Sequence, residues 1–543
     1  MPQRSRARAR PAADRVFDEG GTHEIGMDSP QGGRGSQRRR WWCALLVFAG
    51  LSWAWSFATP IFDGPDEYAH AIRAYAIFSG ELVPSALPVR GVADLAVTPA
   101  PFDRAAFRYP RCLIARPEVT PNCLPKLVPL AGVHRASSSA SRYPPLYYVA
   151  VGAPLKLLPG TALGLLLSRL LSGVLSAMFL ASAVLSAYLS RHRACLLAGL
   201  AVAVTPQVVY TNGVVNPSAF EISAAVGLWM AGLVILTAPD TRDDRRLLAR
   251  LALAGIALVS VKASGPVLLL LLVVVLIVLA RAERLRPLAK NPTAIGWGLV
   301  LGLVGVASVA WTVLVHPNTL GSKPHFGPGV TTARIVRASI GLWDGWARQM
   351  VGNFGYNDLP GPQYSHYIWV ALAGALVIAA VVVCGARLGT ALAVLLTIVL
   401  VGPVIGSTLI ARSIGFGYQG RYTLPIAVGL PLVAGLALGT KVSGSAIERR
   451  LLIVVTALAA TAHFAAFAYV LHRFTVGQSG PLVFWTRPLW SPFAPAGVLL
   501  LALLVLLALA LTFAAASRST PGRLGVRSGS PPLLTGAKGV ERR

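Results

Sequence analysis

Apolar stretches of roughly 18 to 25 residues recur along this chain, separated by short polar breaks. They lie near 41–58, 162–189, 194–210, 218–238, 247–262, 264–281, 294–315, 367–386, 388–411, 422–440, 450–471 and 495–516. A helix needs about 20 apolar residues to cross a bilayer core, so the pattern predicts an all-α integral membrane protein with about twelve spans. A further apolar piece at 144–160 reads as re-entrant. Two polar-rich segments are long: 59–161, taken as the first outer loop, and 316–366, taken as a second. The second holds a helix near 331–350, in which Ile335, Leu342, Trp346 and Met350 form a broken apolar stripe suited to lying in the interface plane. Gly298 and Gly302 make a GxxxG pair, expected to serve helix packing.

Composition agrees with the membrane reading: of 543 residues, 55% are hydrophobic and only 13% charged. The net charge of +28 gains its meaning from its location. With the N-terminus placed in the cytoplasm, the inner segments hold 29 Lys and Arg, against 9 in a similar length of short outer loops. That is the positive-inside asymmetry. It places both termini in the cytoplasm and makes the base excess a topology and lipid-surface signal, not a nucleic-acid footprint. Residues 1–40 and 517–543 read as disordered basic cytoplasmic tails flanking a membrane domain at 41–516. The first 40 residues lack a signal-peptide pattern, and Met27 competes with Met1 as the start.

With this topology the polar clusters fall on the outer side. The densest is Asp63-Gly64-Pro65-Asp66-Glu67-Tyr68-Ala69-His70, in a chain with only 21 acidic residues. Gly64-Pro65 predicts a helix start, with Asp63 or Gly64 as cap and Pro65 in the first turn. Asp66, His70 and Arg73 then share one face. Acids in a first turn serve the helix dipole, which accounts for one or two of them. Three acids beside a membrane surface point further, to catalysis or cation binding. Arg142 and Tyr143 open an aromatic, Pro-rich run that serves either as an interfacial anchor or as a substrate groove. Asn216 ends an outer loop, and Glu221 lies one turn into the next span, where a carboxylate needs a partner: Lys262, Arg421 or Arg169. Lys262 either snorkels or binds a lipid phosphate. Arg421, between Gly420 and Tyr422, suits a bidentate phosphate clamp.

Among the five cysteines, Cys112 and Cys123 share the first outer loop. In an oxidising compartment they close a short disulfide loop; otherwise they are two free thiols. No P-loop, Rossmann fingerprint, HExxH or clustered Cys/His motif occurs. Synthesis on this side of the membrane therefore draws on a substrate activated elsewhere. A polyprenyl-phosphate-linked sugar is the natural donor there.

Several motifs coincide: Pro60 to His70; Asn216-Pro217-Ser218 with Glu221; Asn353-Phe354-Gly355-Tyr356 with Asp358 and Pro360; and Gln419-Gly420-Arg421-Tyr422-Thr423-Leu424-Pro425. Together they resemble a bacterial multi-pass membrane family of unknown function, domain-of-unknown-function family 2142, over roughly residues 40–515. That family in turn resembles the type C glycosyltransferases, which use polyprenyl-phosphate donors. The resemblance implies many spans, a long first outer loop and an acidic motif at its start. In the protein-mannosyltransferase and arabinose-transferase branches that motif activates the acceptor or holds a metal. Asp66-Glu67 occupies its place here, without the Asp-x-Asp form of metal-dependent relatives.

The expectation is a plasma-membrane glycosyltransferase moving a sugar from a polyprenyl phosphate to a cell-envelope glycan acceptor at the outer face. Asp66 is the expected base, and Glu67 or Asp63 orients it or holds a divalent cation. Arg421 and Lys262 are expected to neutralise the phosphate. His70, Arg73, Arg142, Tyr143, Asn216, Glu221, Asp358, Gln419 and Tyr422 are the further candidates for binding substrate. A transporter or flippase of lipid-linked glycans, or a non-enzymatic envelope assembly protein, is the alternative. Flippases of this kind expect ionisable groups near the midplane on repeated broken helices.

Overall fold

The computed structural model describes residues 34–84, 88–89, 93–102, 110–128, 132–237, 244–315, 326–327 and 329–518. The expected tails therefore lie almost wholly outside the described residues, although the first helix begins at Arg34, ahead of the expected 41. In chain order the helices are α1 (Arg34–Ala58), α2 (Glu67–Phe78), α3 (Leu146–Leu157), α4 (Ala162–Tyr188), α5 (Arg193–Ala203), α6 (Pro206–Asn212), α7 (Pro217–Thr237), α8 (Asp244–Val259), α9 (Gly265–Leu279) and α10 (Ala282–Lys290). They continue as α11 (Pro292–Val315), α12 (Thr332–Gly341), α13 (Trp343–Val351), α14 (Gln363–Val383), α15 (Ala386–Ile414), α16 (Leu424–Ala427), α17 (Gly429–Val442), α18 (Ala446–Val476) and α19 (Pro495–Arg518).

Among the described residues nine helical spans are long and apolar enough to cross a membrane, or ten if one bent pair counts as a span. The protein is thus an all-α integral membrane protein, with fewer full-length spans than the twelve expected. The difference has local causes. The apolar run at 194–210 is broken into α5 and α6, which meet at 70°. Thr205 caps α6, its side chain accepting from the Val208 amide, and Pro206 sits in the first turn. That pairing starts a helix and cannot continue one. The runs expected at 247–262 and 264–281 become α8 and α9, of 16 and 15 residues, both short of a full crossing. The piece at 144–160 becomes α3, whose 12 residues reach only about 18 Å.

Helix α7 is the centre of the bundle, 94% buried over its apolar window, whereas α11 is 6% buried and faces outward. Beneath the long loops an aromatic cluster closes the core. Trp55 stacks on Phe354 at 4.8 Å and meets Tyr210 and Phe467 edge-on.

The long loop between α1 and α4 carries structure the hydropathy pattern did not reveal. Strands β1 (Pro88–Val89), β2 (Ala93–Pro99) and β3 (Val133–Ser138) form an antiparallel sheet in sequence order. Asp94 pairs with Ser138 and Pro99 with Val133. The sheet packs Ala96 and Ala136 on Ile72 and Ala76 of α2. A short hairpin, β4 (Asn353–Phe354) with β5 (Leu359–Pro360), links α13 to α14. Cys112 and Cys123 are joined by a disulfide. Between them, Arg116 and Val119 accept hydrogen bonds from Arg473 near the end of α18.

The 331–350 segment forms two helices, α12 and α13, broken at Leu342. They are anchored on the bundle by Ser339 to Ser407, Trp343 to the Leu400 carbonyl and Trp346 to the Tyr418 carbonyl. The Gly298–Gly302 pair is not packed against any helix among the described residues. Nothing lies within 4 Å of where a Cβ on either glycine would sit.

Candidate functional site at the loop end of the bundle

The polar clusters singled out in the sequence collect at one end of the bundle. The basic segments collect at the other, where Gln37 meets Arg246, His192 meets Ser443 and Arg193 meets Ala516.

The site begins where α1 ends. A turn closes from the Asp63 amide to the Pro60 carbonyl, and another from the Glu67 amide to the Gly64 carbonyl. Gly64 is pressed on Val214 so closely that a Cβ would come within 2.9 Å of it. Helix α2 therefore starts at Glu67, two residues later than Pro65 suggested, and Asp66 stands at its N-cap. Its backbone is left-handed, at φ 56°, and its side chain makes no cap bond. An Asp in that conformation is uncommon and marks a constrained position. The constraint frees the Asp66 carboxylate to point at Arg421, whose Nη2 lies 2.5 Å from Oδ2.

Arg421 sits in a single 3-10 turn, Gly420–Tyr422, that sequence periodicity cannot reveal. Gly420 is required there, because a Cβ would lie 2.3 Å from the Trp346 carbonyl oxygen. The Gly420 amide also donates to Gln349 at 2.7 Å. The guanidinium is buried, yet its Nε and Nη1 have no hydrogen-bond partner among the described residues. Leaving such donors unmet is costly unless a ligand meets them. The Tyr422 ring lies between two cations, with Arg421 Cζ 5.2 Å and Lys262 Nζ 5.0 Å from its centroid. Lys262 donates to Ser218 at 2.5 Å and to Glu221 at 2.9 Å. Of the three partners open to Glu221, the structure thus selects Lys262.

Electrostatics follow this geometry. Burial pushes the Asp66 carboxyl up, but the adjacent Arg421 guanidinium outweighs it and holds the group below the usual carboxylate range. Burial pulls Lys262 down against the opposing pull of Glu221. Burial lowers His70 to about 3, so the imidazole is neutral. Its Nδ1 shares a hydrogen bond with the Tyr148 hydroxyl at 2.9 Å, and its ring lies 5.8 Å from that of Tyr143.

The remaining candidates do other work. Glu67 is fully buried and committed to Arg169, with Nε–Oε1 at 2.7 Å and Nη2–Oε2 at 2.5 Å. It also accepts from the Val215 amide at 3.0 Å. Of the two roles expected for Glu67, orienting Asp66 or holding a divalent cation, its engagement by Arg169 suits the first. Asp63 is also buried and lies beside Gly355 and Asp358, not at the Arg421 contact. Burial first, and the Asp358 charge second, raise its carboxyl well above the ordinary range. One of its oxygens, Oδ2, has no hydrogen-bond partner among the described residues.

Arg73 donates to the Tyr143 carbonyl at 2.7 Å and supports the aromatic run rather than facing the site. Arg142 donates to the Val315 carbonyl and receives Trp311 on its own carbonyl, tying down the end of α11. Asn216 donates to the Pro65 carbonyl, Gln419 accepts from Asn357, and Asp358 accepts from the Tyr356 and Ala115 amides. These three stitch the loops together.

Two tyrosines escaped the sequence reading although both stood in highlighted motifs. Burial and the nearby Asp66 charge both push the Tyr68 and Tyr356 hydroxyls up. They line the partly open side of that carboxylate.

Residues 48–430 match the family described as a predicted membrane protein, DUF2142. The chain belongs to this family. No curated protein matches it. Two solved structures of ArnT from Cupriavidus metallidurans are similar to this DUF2142 member at 16% sequence identity. The one bound to undecaprenyl phosphate covers 89% of this chain and 77% of its own, with a TM-score of 0.40. The apo structure covers 88% and 76%, with a TM-score of 0.39.

Proposed function

We propose that this DUF2142 protein is a membrane glycosyltransferase. It would move a sugar from a polyprenyl-phosphate donor to a hydroxyl of a cell-envelope glycan acceptor. The observation that carries the reading is the Asp66–Arg421 contact: a carboxylate on a buried guanidinium whose Nε and Nη1 are still free. A base and an anion site thus share one point, as transfer from a phosphate leaving group requires.

The donor phosphate takes the free edge of Arg421, with Lys262 as a second positive charge. Its charge offsets the field of Arg421, and the Asp66 carboxylate becomes a stronger base. The acceptor hydroxyl then attacks the anomeric carbon as its proton passes to Asp66. The bond from that carbon to the phosphate oxygen breaks, and its electron pair leaves with the polyprenyl phosphate. Tyr68 and Tyr356 flank the acceptor side.

A divalent cation is not given a step. Among the described residues no group of three or more His, Cys, Asp or Glu side chains gathers to hold one, and Glu67 is already engaged. The positive-inside count orients the basic end to the cytoplasm and this site to the outer face of the plasma membrane.

The test is transfer from labelled lipid-linked sugar by the detergent-purified chain. Asp66→Asn and Arg421→Ala are each expected to lose about 100-fold or more of the transfer rate. Wild-type protein that moves the lipid between leaflets of a vesicle without consuming it would make the protein a flippase instead.

A further inference from the structure

The outer face of the bundle carries a groove of about 800 Å³ between α9 and α11. Its walls are apolar, from Leu270 and Val273 on one side to Val306 and Val313 on the other. Its floor along α11 is made of Gly298, Gly302 and Gly305. These glycines recur at spacings of four and three and so share one face of the helix. No atom lies within 4 Å of where their Cβ atoms would sit. The trough exists because that face carries glycines and, among the described residues, no side chain fills it. From Gly298 to Leu314 it follows about 24 Å of helix axis.

The groove has a definite upper end. Val259, the last residue of α8, and Pro266, in the first turn of α9, both line it. Between them runs the turn that carries Lys262, closed from the Gly265 amide to the Lys262 carbonyl at 3.0 Å. The Lys262 ammonium leans over Tyr422, whose other neighbour is Arg421 with its two free donors. The apolar channel thus ends beside the turn whose Lys262 leans over Tyr422, next to Arg421, which fits a ligand with a long apolar tail and a phosphate head.

We propose that the α9–α11 groove holds the isoprenoid tail of the lipid-linked donor, while Arg421 and Lys262 hold its phosphate. This rests on the transferase reading and adds the place and direction of the tail. The glycine face then selects for the methyl-branched chain by leaving room for it.

The test compares wild type with Gly302→Leu and Gly305→Leu, which place a side chain in the trough at positions where a Cβ meets no atom of the described residues. Two donors are used, one with a full-length polyprenyl chain and one with a chain of two isoprene units. The expected result is a rise of about 10-fold or more in KM for the long donor, with kcat at saturation and all constants for the short donor unchanged. Equal effects on both donors, or none on either, would overturn the groove assignment.

A second measurement needs no turnover. Polyprenyl phosphate bearing a photoreactive group at its tail should cross-link to 265–279 and 292–315 in wild type and lose those cross-links in Gly302→Leu. Binding of the lipid with cross-links spread evenly over the bundle would leave only ordinary membrane lipid in the groove. Absence of any binding by wild type would instead remove the transferase reading itself.

Discussion

Arg169 meets Glu67 edge to edge, Nε on Oε1 and Nη2 on Oε2, and spends its remaining donors on the carbonyls of Ser56, Thr59 and Pro60. One side chain from α4 therefore fixes the chain as it leaves α1 and the first residue of α2. Asp66 lies between these two fixed points, so the brace sets where its carboxylate stands.

Removing one member of this pair strands a buried charge. Arg169→Met should destabilise the protein by about 3–5 kcal/mol. The double variant Glu67→Leu/Arg169→Met should recover part of that loss, read as the melting temperature in detergent. A Glu67→Gln protein with unchanged melting temperature and abolished transfer would return Glu67 to the chemistry.

The Asp66–Arg421 contact makes a pH-dependent contribution of known sign. The Asp66 carboxyl is held below its ordinary value. The stability it supplies is therefore complete above the ordinary carboxylate range and is lost as pH falls through the lower folded value. The gap in melting temperature between wild type and Asp66→Asn should be widest at neutral pH and close as pH falls below the ordinary carboxylate range of about 4. A gap that stays constant across that fall in pH would show that the contact is not ionic.

Asp63 has the opposite sign. Its carboxyl is raised, so the folded state favours the neutral form and loses stability as pH rises through the folded value. Asp63→Asn should raise the melting temperature at pH 8 by on the order of 2 °C, because the amide can donate towards Asp358. The gain should vanish at acid pH. A lower melting temperature at pH 8 would count against a protonated Asp63.

Lys262 has two partners and two tasks, which can be separated. Lys262→Ala leaves Glu221 unpaired in the bundle and should unfold readily. Lys262→Met with Glu221→Leu removes both charges and should fold. If Lys262 serves the phosphate, the double variant will bind polyprenyl phosphate at least about 10-fold more weakly, as measured by titration in detergent. Undiminished binding by a folded double variant would confine Lys262 to the ion pair.

Much of this was legible in the chain. Apolar runs gave most of the helices, because bilayer thickness imposes a length that composition displays. The scarcity of acids drew attention to Asp66, and the flanking Gly420 and Tyr422 to Arg421. The division of labour within the acidic motif was not legible. Asp66 and Glu67 are neighbours of similar chemistry, and only the left-handed turn at Asp66 sends one to Arg421 and the other to Arg169. Such a turn is dictated by contacts with Val214 and Asn216, far along the chain. The Gly298–Gly302 motif failed for a related reason: small residues signal close approach, but not by what.

The two members of the Asp66–Arg421 contact are 355 positions apart in the chain. A ribosome making this protein has inserted most of the bundle before the second member exists. A nascent or truncated chain ending before the turn Gly420–Tyr422 therefore has its acid without its guanidinium, and the proposed transfer would be missing however well its first helices are folded. On the transferase reading proposed above, activity arrives late in biosynthesis, when most of the helices are already inserted, and incomplete copies would not draw on the cell's supply of carrier lipid.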